Sequence, residues 1–179
     1  LTIMVKNESV DIHTTLESVV DIIKTLVVLD TGSTDNTIKE IKDFSERNNI
    51  KLFLIEKPFV DFEISRNILL EYANSVLSEG TYTILLDAKD ELRNGNLIEH
   101  FVKQHTDDAF FIRKQFEHND QIEEFMSLAV LKIPTQWRYQ GKVHEFLSKN
   151  PLPRNMRNIP NVTIYQLRSQ EDMKKRNEW

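Results

Sequence analysis

Leu26-Val27-Val28-Leu29-Asp30-Thr31-Gly32-Ser33-Thr34-Asp35-Asn36-Thr37 reads as a buried strand that ends in an acid, breaks into a polar turn and gives way to a helix. In an open α/β sheet, ligands bind outside the carboxyl ends of the strands. A carboxylate placed there can accept hydrogen bonds from the polar edge of a base or from a ribose. Asp30 is therefore the first candidate site residue.

Working outward, the same alternation recurs on both sides. Leu1 to Lys6 forms a short apolar strand, and Ile12, Leu16, Val19, Val20 and Ile23 follow at helical spacing, with Ser9 placed to cap that helix. Past Asp30, Ser33 or Thr34 can cap a second helix carrying Ile38, Ile41 and Phe44, and Ile50 to Ile55 gives a third strand. After Pro58, the residues Ile64, Ile68, Leu69, Tyr72, Ala73, Val76 and Leu77 make the wide apolar stripe of a third helix, which Gly80 ends. Tyr82 to Asp87 is a fourth strand, again ending in an acid.

This βαβαβαβ alternation predicts an α/β fold with a mostly parallel central sheet and right-handed crossovers. Beyond residue 107 the runs Ala109 to Phe116 and Phe125 to Ile133 are strand-like with no strong helix between them, so a mixed or antiparallel second half is expected. Pro134, Pro151, Pro153 and Pro160 mark loops, and Val162 to Leu167 reads as a last strand before a polar helix.

Composition limits the function classes. The chain has 179 residues, 40% of them hydrophobic, which suits one soluble domain with a core of its own. A net charge of −5, with basic residues scattered except at Lys174-Lys175-Arg176, argues against a nucleic-acid footprint. There is no cysteine, so disulfides and thiolate metal sites are excluded, and any metal must sit on carboxylates and histidine. No apolar run approaches the roughly 18 residues of a membrane span, and the first residues lack a signal-peptide profile, so a soluble, cytoplasmic protein is expected. The chain opens at Leu1 without a methionine, and is read as a piece of a longer protein.

Four polar groups then fall at strand ends or early in a helix: Lys6-Asn7-Glu8, Asp30, Ser65-Arg66-Asn67 and Asp87-Ala88-Lys89-Asp90-Glu91. Their convergence on one sheet edge points to a nucleotide or sugar-phosphate site. No Gly-x-Gly-x-x-Gly follows the first strand, the chain has only four glycines, and there is no P-loop. Phosphates would be neutralised by a metal, a lysine or an arginine instead of a glycine-rich cradle.

Together, Lys6-Asn7-Glu8, Val28-Leu29-Asp30-Thr31-Gly32-Ser33-Thr34-Asp35, Asp61-Phe62 leading to Ser65-Arg66-Asn67, and Leu85-Leu86-Asp87-Ala88 resemble the family-2 glycosyltransferases of GT-A fold. Gly141-Lys142-Val143-His144-Glu145 resembles the Gly-x-Val-His-Glu segment of one branch of that family. The resemblance implies a Rossmann-like GT-A sandwich over residues 1–179, with a nucleotide-binding half at about 1–92 and an acceptor half at about 93–179. It also implies transfer of a sugar, with inversion, from a nucleotide-sugar donor such as a UDP-sugar to a glycan, lipid or protein acceptor.

By the same resemblance, Lys6, Asn7, Glu8 and Asp30 would hold the uracil and ribose, and Arg66 would reach the base or phosphate side. Asp87, Ala88 and Lys89 would occupy the Asp-x-Asp signature, with Mn²⁺ or Mg²⁺ bridging the diphosphate on Asp87, Asp90 and His144. Such a cation suits a leaving group whose negative charge grows during transfer. The chain departs from the pattern at Lys89, where a second acid is expected. Three outcomes are open: Asp90 takes over as ligand, Lys89 itself neutralises the diphosphate, or metal and activity are lost. Tyr165-Gln166 stands where relatives often carry a second histidine.

An inverting transfer also needs a carboxylate base. Glu145 is the first candidate, followed by Glu124 and Glu123. Two other functions stay open: a non-catalytic nucleotide-sugar-binding domain with a degenerate metal site, and an α/β interaction domain whose acids only form turns.

Overall fold

A computed structural model describes residues 1–119, 121–153 and 156–167. The first strand, β1 (Thr2–Val5), is followed by helix α1 (Ile12–Val19), strand β2 (Thr25–Asp30), helix α2 (Thr37–Arg47), strand β3 (Lys51–Glu56) and helix α3 (Phe62–Val76). These strands pair in parallel in the order β1-β2-β3. The remaining elements are β4 (Tyr82–Ile84), β5 (Glu91–Arg93), α4 (Leu97–Lys103), β6 (Ala109–His118), β7 (Gln121–Lys132), β8 (Arg138–Gln140), β9 (Phe146–Ser148) and β10 (Arg157–Leu167). Five of them form a mixed sheet in the order β4-β7-β6-β10-β5, and β8 pairs with β9 as a small hairpin.

The two larger sheets meet edge to edge. Thr2 makes an isolated parallel bridge with Leu85, and the Thr2 and Thr83 hydroxyls hydrogen-bond at 2.7 Å in the interior. The result is a central parallel sheet that continues into a mixed, curled one.

Why Leu26 to Leu29 of β2 are all apolar is clear from their neighbours. Leu26 and Val28 face a core built with Ile12, Leu16 and Phe44 from α1 and α2, whereas Val27 and Leu29 face Leu69 and Ala73 of α3. Side chains alternate across a strand, so a strand covered on both faces needs apolar residues at every position. Burying each of these side chains contributes about 1.5–3 kcal/mol, which holds Asp30 at a fixed place on the sheet edge.

Several local expectations differ from the structure. Ser9 does not cap α1: Asp11 stands at that position without a side-chain capping bond, and the Ser9 N–H donates to Asp35. Nor do Ser33 and Thr34 cap α2, which begins at Thr37, where the Asp35 carboxylate accepts from the Thr37 N–H and hydroxyl. Both earlier residues are engaged across the turn, Ser33 with Asp30 and Thr34 with Asn7. Helix α3 is capped by Asp61, whose carboxylate accepts from the Ile64 N–H at 2.7 Å, and it ends at Val76, before Gly80.

The fourth strand is shorter than expected and pairs antiparallel with β7, because the β6–β7 hairpin returns along that edge. Among the described residues its parallel contact is the Leu85 bridge just past its end. Strand β5 and helix α4, which the apolar pattern did not announce, lie between Asp90 and β6. The last strand starts at Arg157, with a register shift between Asn158 and Thr163 that accommodates Pro160. The expected polar helix and the basic cluster Lys174-Lys175-Arg176 lie outside the described residues. Among the described residues no helix is long and apolar enough to cross a membrane.

Candidate functional site

At the carboxyl edge of β1 and β2 two turns are laced together. The Asp30 side chain, in a residue only 4% exposed, accepts from the Gly32 N–H at 3.1 Å, the Ser33 N–H at 3.1 Å and the Ser33 hydroxyl at 2.5 Å. Gly32 takes φ +104°, a left-handed conformation that side chains rarely adopt. Across the gap Asn7 Oδ1 accepts from the Thr34 N–H at 2.7 Å, and the Glu8 N–H donates to the Thr37 hydroxyl at 2.7 Å. Asn7, Glu8 and Asp30 thus shape one rim, while Lys6 is exposed beside it. Asp30 is a builder of its own turn first.

A second group of charges gathers where α3 faces the end of β4. Arg66 Nη2 donates to Asp87 Oδ1 at 2.8 Å, and Arg66 Nε stands 2.8 Å from Glu145 Oε1 as an ion pair. From β6, Lys114 Nζ donates to Asp87 Oδ2 at 3.1 Å and to Asp90 Oδ2 at 2.8 Å. The Asp87 N–H also donates to Asp90 Oδ2, at 2.8 Å, and Gln166 reaches Asp90 Oδ1 at 3.4 Å. The Lys114 side chain is 10% exposed and that of Asp90 1%, whereas Asp87 keeps 44% of its side chain open.

The electrostatics follow from this packing. Burial opposes ionisation of Asp87, but Arg66 and then Lys114 outweigh it and hold the carboxyl well below the usual range. Burial dominates at Asp90 and pushes it up to about 6, with Lys114 opposing and Asp87 reinforcing. Lys114 is raised despite its burial, because both carboxylates favour its charge. Arg66 is likewise raised despite its burial, mainly by Asp87.

Arg66, Asp87, Lys114 and Glu145 are part of the lining of a cavity of about 630 Å³. Its other walls are apolar and aromatic, including Phe116, Phe125, Met126, Phe146 and Leu147. The Gly141–Glu145 segment is held onto α3: Asn67 exchanges two hydrogen bonds of 2.9 Å with the Tyr139 backbone, and Glu63 accepts from the Gly141 N–H at 2.8 Å. Gly141 has φ +101°, and a β-carbon there would come within 3.0 Å of the His144 carbonyl oxygen.

The other candidates have surroundings of their own. Lys89 adopts a left-handed backbone, φ +74°, and its ammonium pairs with Asp11 at 3.1 Å. Ala88 packs against the main core. His144 is exposed. Glu124 and Glu123 lie on the exposed part of β7, where Glu124 accepts from Gln115 across the ladder at 3.0 Å. Tyr165 donates to Glu117.

Asp87, Asp90 and His144 do not gather as a metal shell. Among the described residues no cluster of three or more histidine, aspartate or glutamate side chains is arranged to hold an ion. Asp87 has both oxygens on cationic side chains, and Lys114 stands between Asp87 and Asp90. As arranged, this donor set does not fit a divalent cation. Lys114 was missed by the sequence reading, although the two-residue alternation of β6 places it on the same inward face as Phe110 and Ile112.

Residues 1–162 match the profile described as Glycosyl transferase family 2. No curated protein sequence matches the chain. Among solved structures, S. aureus TarS 1-349 in complex with UDP is similar at a TM-score of 0.59 with 15% identity, covering 97% of this chain and 61% of that one. The same TarS fragment in complex with UDP-GlcNAc is similar at a TM-score of 0.52 with 22% identity, over 68% of this chain and 36% of that one. The chain thus spans less than two thirds of the structures it resembles. A weaker likeness, TM-score 0.39 at 18% identity over 64% of this chain and 42% of the other, is to glucosyl-3-phosphoglycerate synthase from Mycobacterium tuberculosis in complex with Mn²⁺ and UDP-glucose.

Proposed function

Because the chain belongs to glycosyl transferase family 2, we propose that it transfers a sugar from a nucleotide-sugar donor, a UDP-sugar, to an acceptor hydroxyl with inversion. The observation that carries this reading is the meeting of Arg66, Lys114, Asp87 and Glu145 in the lining of one 630 Å³ cavity. Buried cations there can bind a diphosphate in a setting where charge interactions are stronger than in water.

In this reading Asn7, Glu8 and Asp30 form the rim that receives the uridine, with Lys6 beside it. Arg66 faces the diphosphate. The acceptor oxygen bonds to the anomeric carbon while the bond to the diphosphate oxygen breaks, its electron pair leaving with the nucleotide. Glu145 takes the acceptor proton; it lines the cavity, and Glu124 does not. No step is routed through Mn²⁺ or Mg²⁺, given the donor set at Asp87 and Asp90.

The test is a thermal-shift panel of nucleotide sugars with and without Mn²⁺. UDP and a UDP-sugar at about 100 times their dissociation constant are expected to stabilise the fold by about 2.7 kcal/mol, a rise of about 5–11 °C for a chain of this size. No response to any nucleotide sugar at millimolar concentration would sink the reading.

One observation favours a second function, a domain that binds UDP-sugars without turning them over. Lys89 holds the signature position of an acid and pairs with Asp11. Such a domain would show the same thermal shift, yet release no UDP from any donor over hours of incubation with candidate acceptors.

A further inference from the structure

We propose that Lys114 is a built-in counter-cation for the donor diphosphate, standing between Asp87 and Asp90 where a divalent ion would otherwise bridge, so that this chain binds its donor without metal. The inference rests on the nucleotide-sugar reading above. It starts from three geometric facts. The Lys114 ammonium contacts both carboxylates, at 3.1 and 2.8 Å. It lines the same cavity as Asp87 and Arg66. The residue that would have supplied the second signature carboxylate is Lys89, turned to Asp11.

Charge accounting supports the placement. Two carboxylates that share one bridging dication are neutralised by two positive charges. Here Arg66 and Lys114 bring two positive charges to the same pair, Arg66 on Asp87 Oδ1, shared with Glu145 through its Nε, and Lys114 on Asp87 Oδ2 and Asp90 Oδ2. A dication entering this site would have to displace an ammonium that is nine-tenths buried and ion-paired on two sides, leaving that charge without partners in the interior, which is strongly unfavourable. An ammonium is a compact point charge suited to phosphate oxygens, and the open part of the Asp87 side chain leaves room for a ligand beside it.

The inference also explains why losing an acid at position 89 need not empty the site of positive charge: the cation comes from β6 in the second half of the chain. It predicts a specific reversal. Taking the ammonium away should leave Asp87 and Asp90 facing each other and open to a dication.

The experiment measures binding of UDP and of uridine by calorimetry, in EDTA and in Mn²⁺, to the wild-type chain, Lys114→Met and Lys114→Arg. Wild type is expected to bind UDP with affinities in EDTA and Mn²⁺ that agree within about twofold. In EDTA, Lys114→Met should bind UDP about 10- to 100-fold more weakly while its uridine affinity is unchanged, the loss of one charge-assisted contact. Mn²⁺ should restore much of that affinity, and Lys114→Arg should retain most of it without metal.

If wild-type UDP binding strengthens tenfold or more with Mn²⁺, or if folded Lys114→Met binds UDP in EDTA as tightly as wild type, the inference is overturned. Should Lys114→Met fail to fold, the wild-type comparison of EDTA and Mn²⁺ decides alone. A wild-type chain that binds neither UDP nor uridine in either buffer refutes the nucleotide-sugar reading itself, a result distinct from metal-dependent binding.

Discussion

Asp87 and Asp90 are three residues apart, share Lys114, and respond to their surroundings in opposite ways. Asp87 faces the cavity and two cations, so its ionised form is favoured and its contribution to stability is lost only as pH falls below its unfolded value. Asp90 is sealed inside, and burial raises it from the model-compound value of 3.8 to about 6. An acid raised in this way stabilises the fold only while protonated, so its contribution is fully present below about 4 and is lost as pH rises through about 6. Asp90→Asn keeps an acceptor for the Asp87 N–H and cannot ionise. The melting temperature of the variant minus that of wild type should therefore climb between pH 4 and pH 6 and level off above 7. The free-energy change across that window is on the order of 2–3 kcal/mol. A difference that stays flat over this range would show that Asp90 does not titrate with folding.

Helix α3 is the element that ties the site together, because it presents two chemically distinct surfaces. Leu69 and Ala73 pack against β2, while Glu63, Arg66 and Asn67 hold the β8–β9 hairpin and the Glu145 loop. Asn67 is central to this docking, since its amide both donates to and accepts from the Tyr139 backbone. Asn67→Ala should cost about 1–3 kcal/mol in urea unfolding by leaving the part-buried Tyr139 peptide groups unpaired. It should also speed proteolysis within residues 138–148 more than elsewhere, and uniform protection would refute the docking role. The apolar stripe of α3 and the unbroken apolar run of β2 were legible because each is covered by neighbours on a face that its periodicity displays. Helix starts were less legible: Ser33 and Thr34 are good cap formers in sequence, but the cross-turn bonds to Asp30 and Asn7 engage them, and α2 begins after Asn36. Helix α4, with seven residues, is too short for a periodic pattern to identify.

At the scale of the molecule, a local pattern revealed half of the candidate site and topology supplied the rest. Asp30, Arg66 and Asp87 stand at ends or starts of elements in the parallel half, where sequence order foretells the sheet edge. Lys114 arrives from a strand 27 residues past Asp87, through a hairpin pairing that no local motif encodes. The function therefore depends on the parallel and mixed sheets keeping a fixed relation. They share one core that includes Ile3 and Val28 on one side and Phe110 and Ile164 on the other, so a single cooperative unfolding transition is expected. At the seam the side chain of Thr2 hydrogen-bonds to that of Thr83, both residues being at most 2% exposed. Thr2→Val and Thr83→Val each leave the opposite hydroxyl buried without its partner, at a cost of about 1–3 kcal/mol. The double variant removes both polar groups and should be less destabilised than the sum by about 1 kcal/mol or more, as read from urea unfolding of all four proteins. If the two costs instead add within about 0.5 kcal/mol, the hydroxyls act independently and the seam is held by the bridge and the shared core alone.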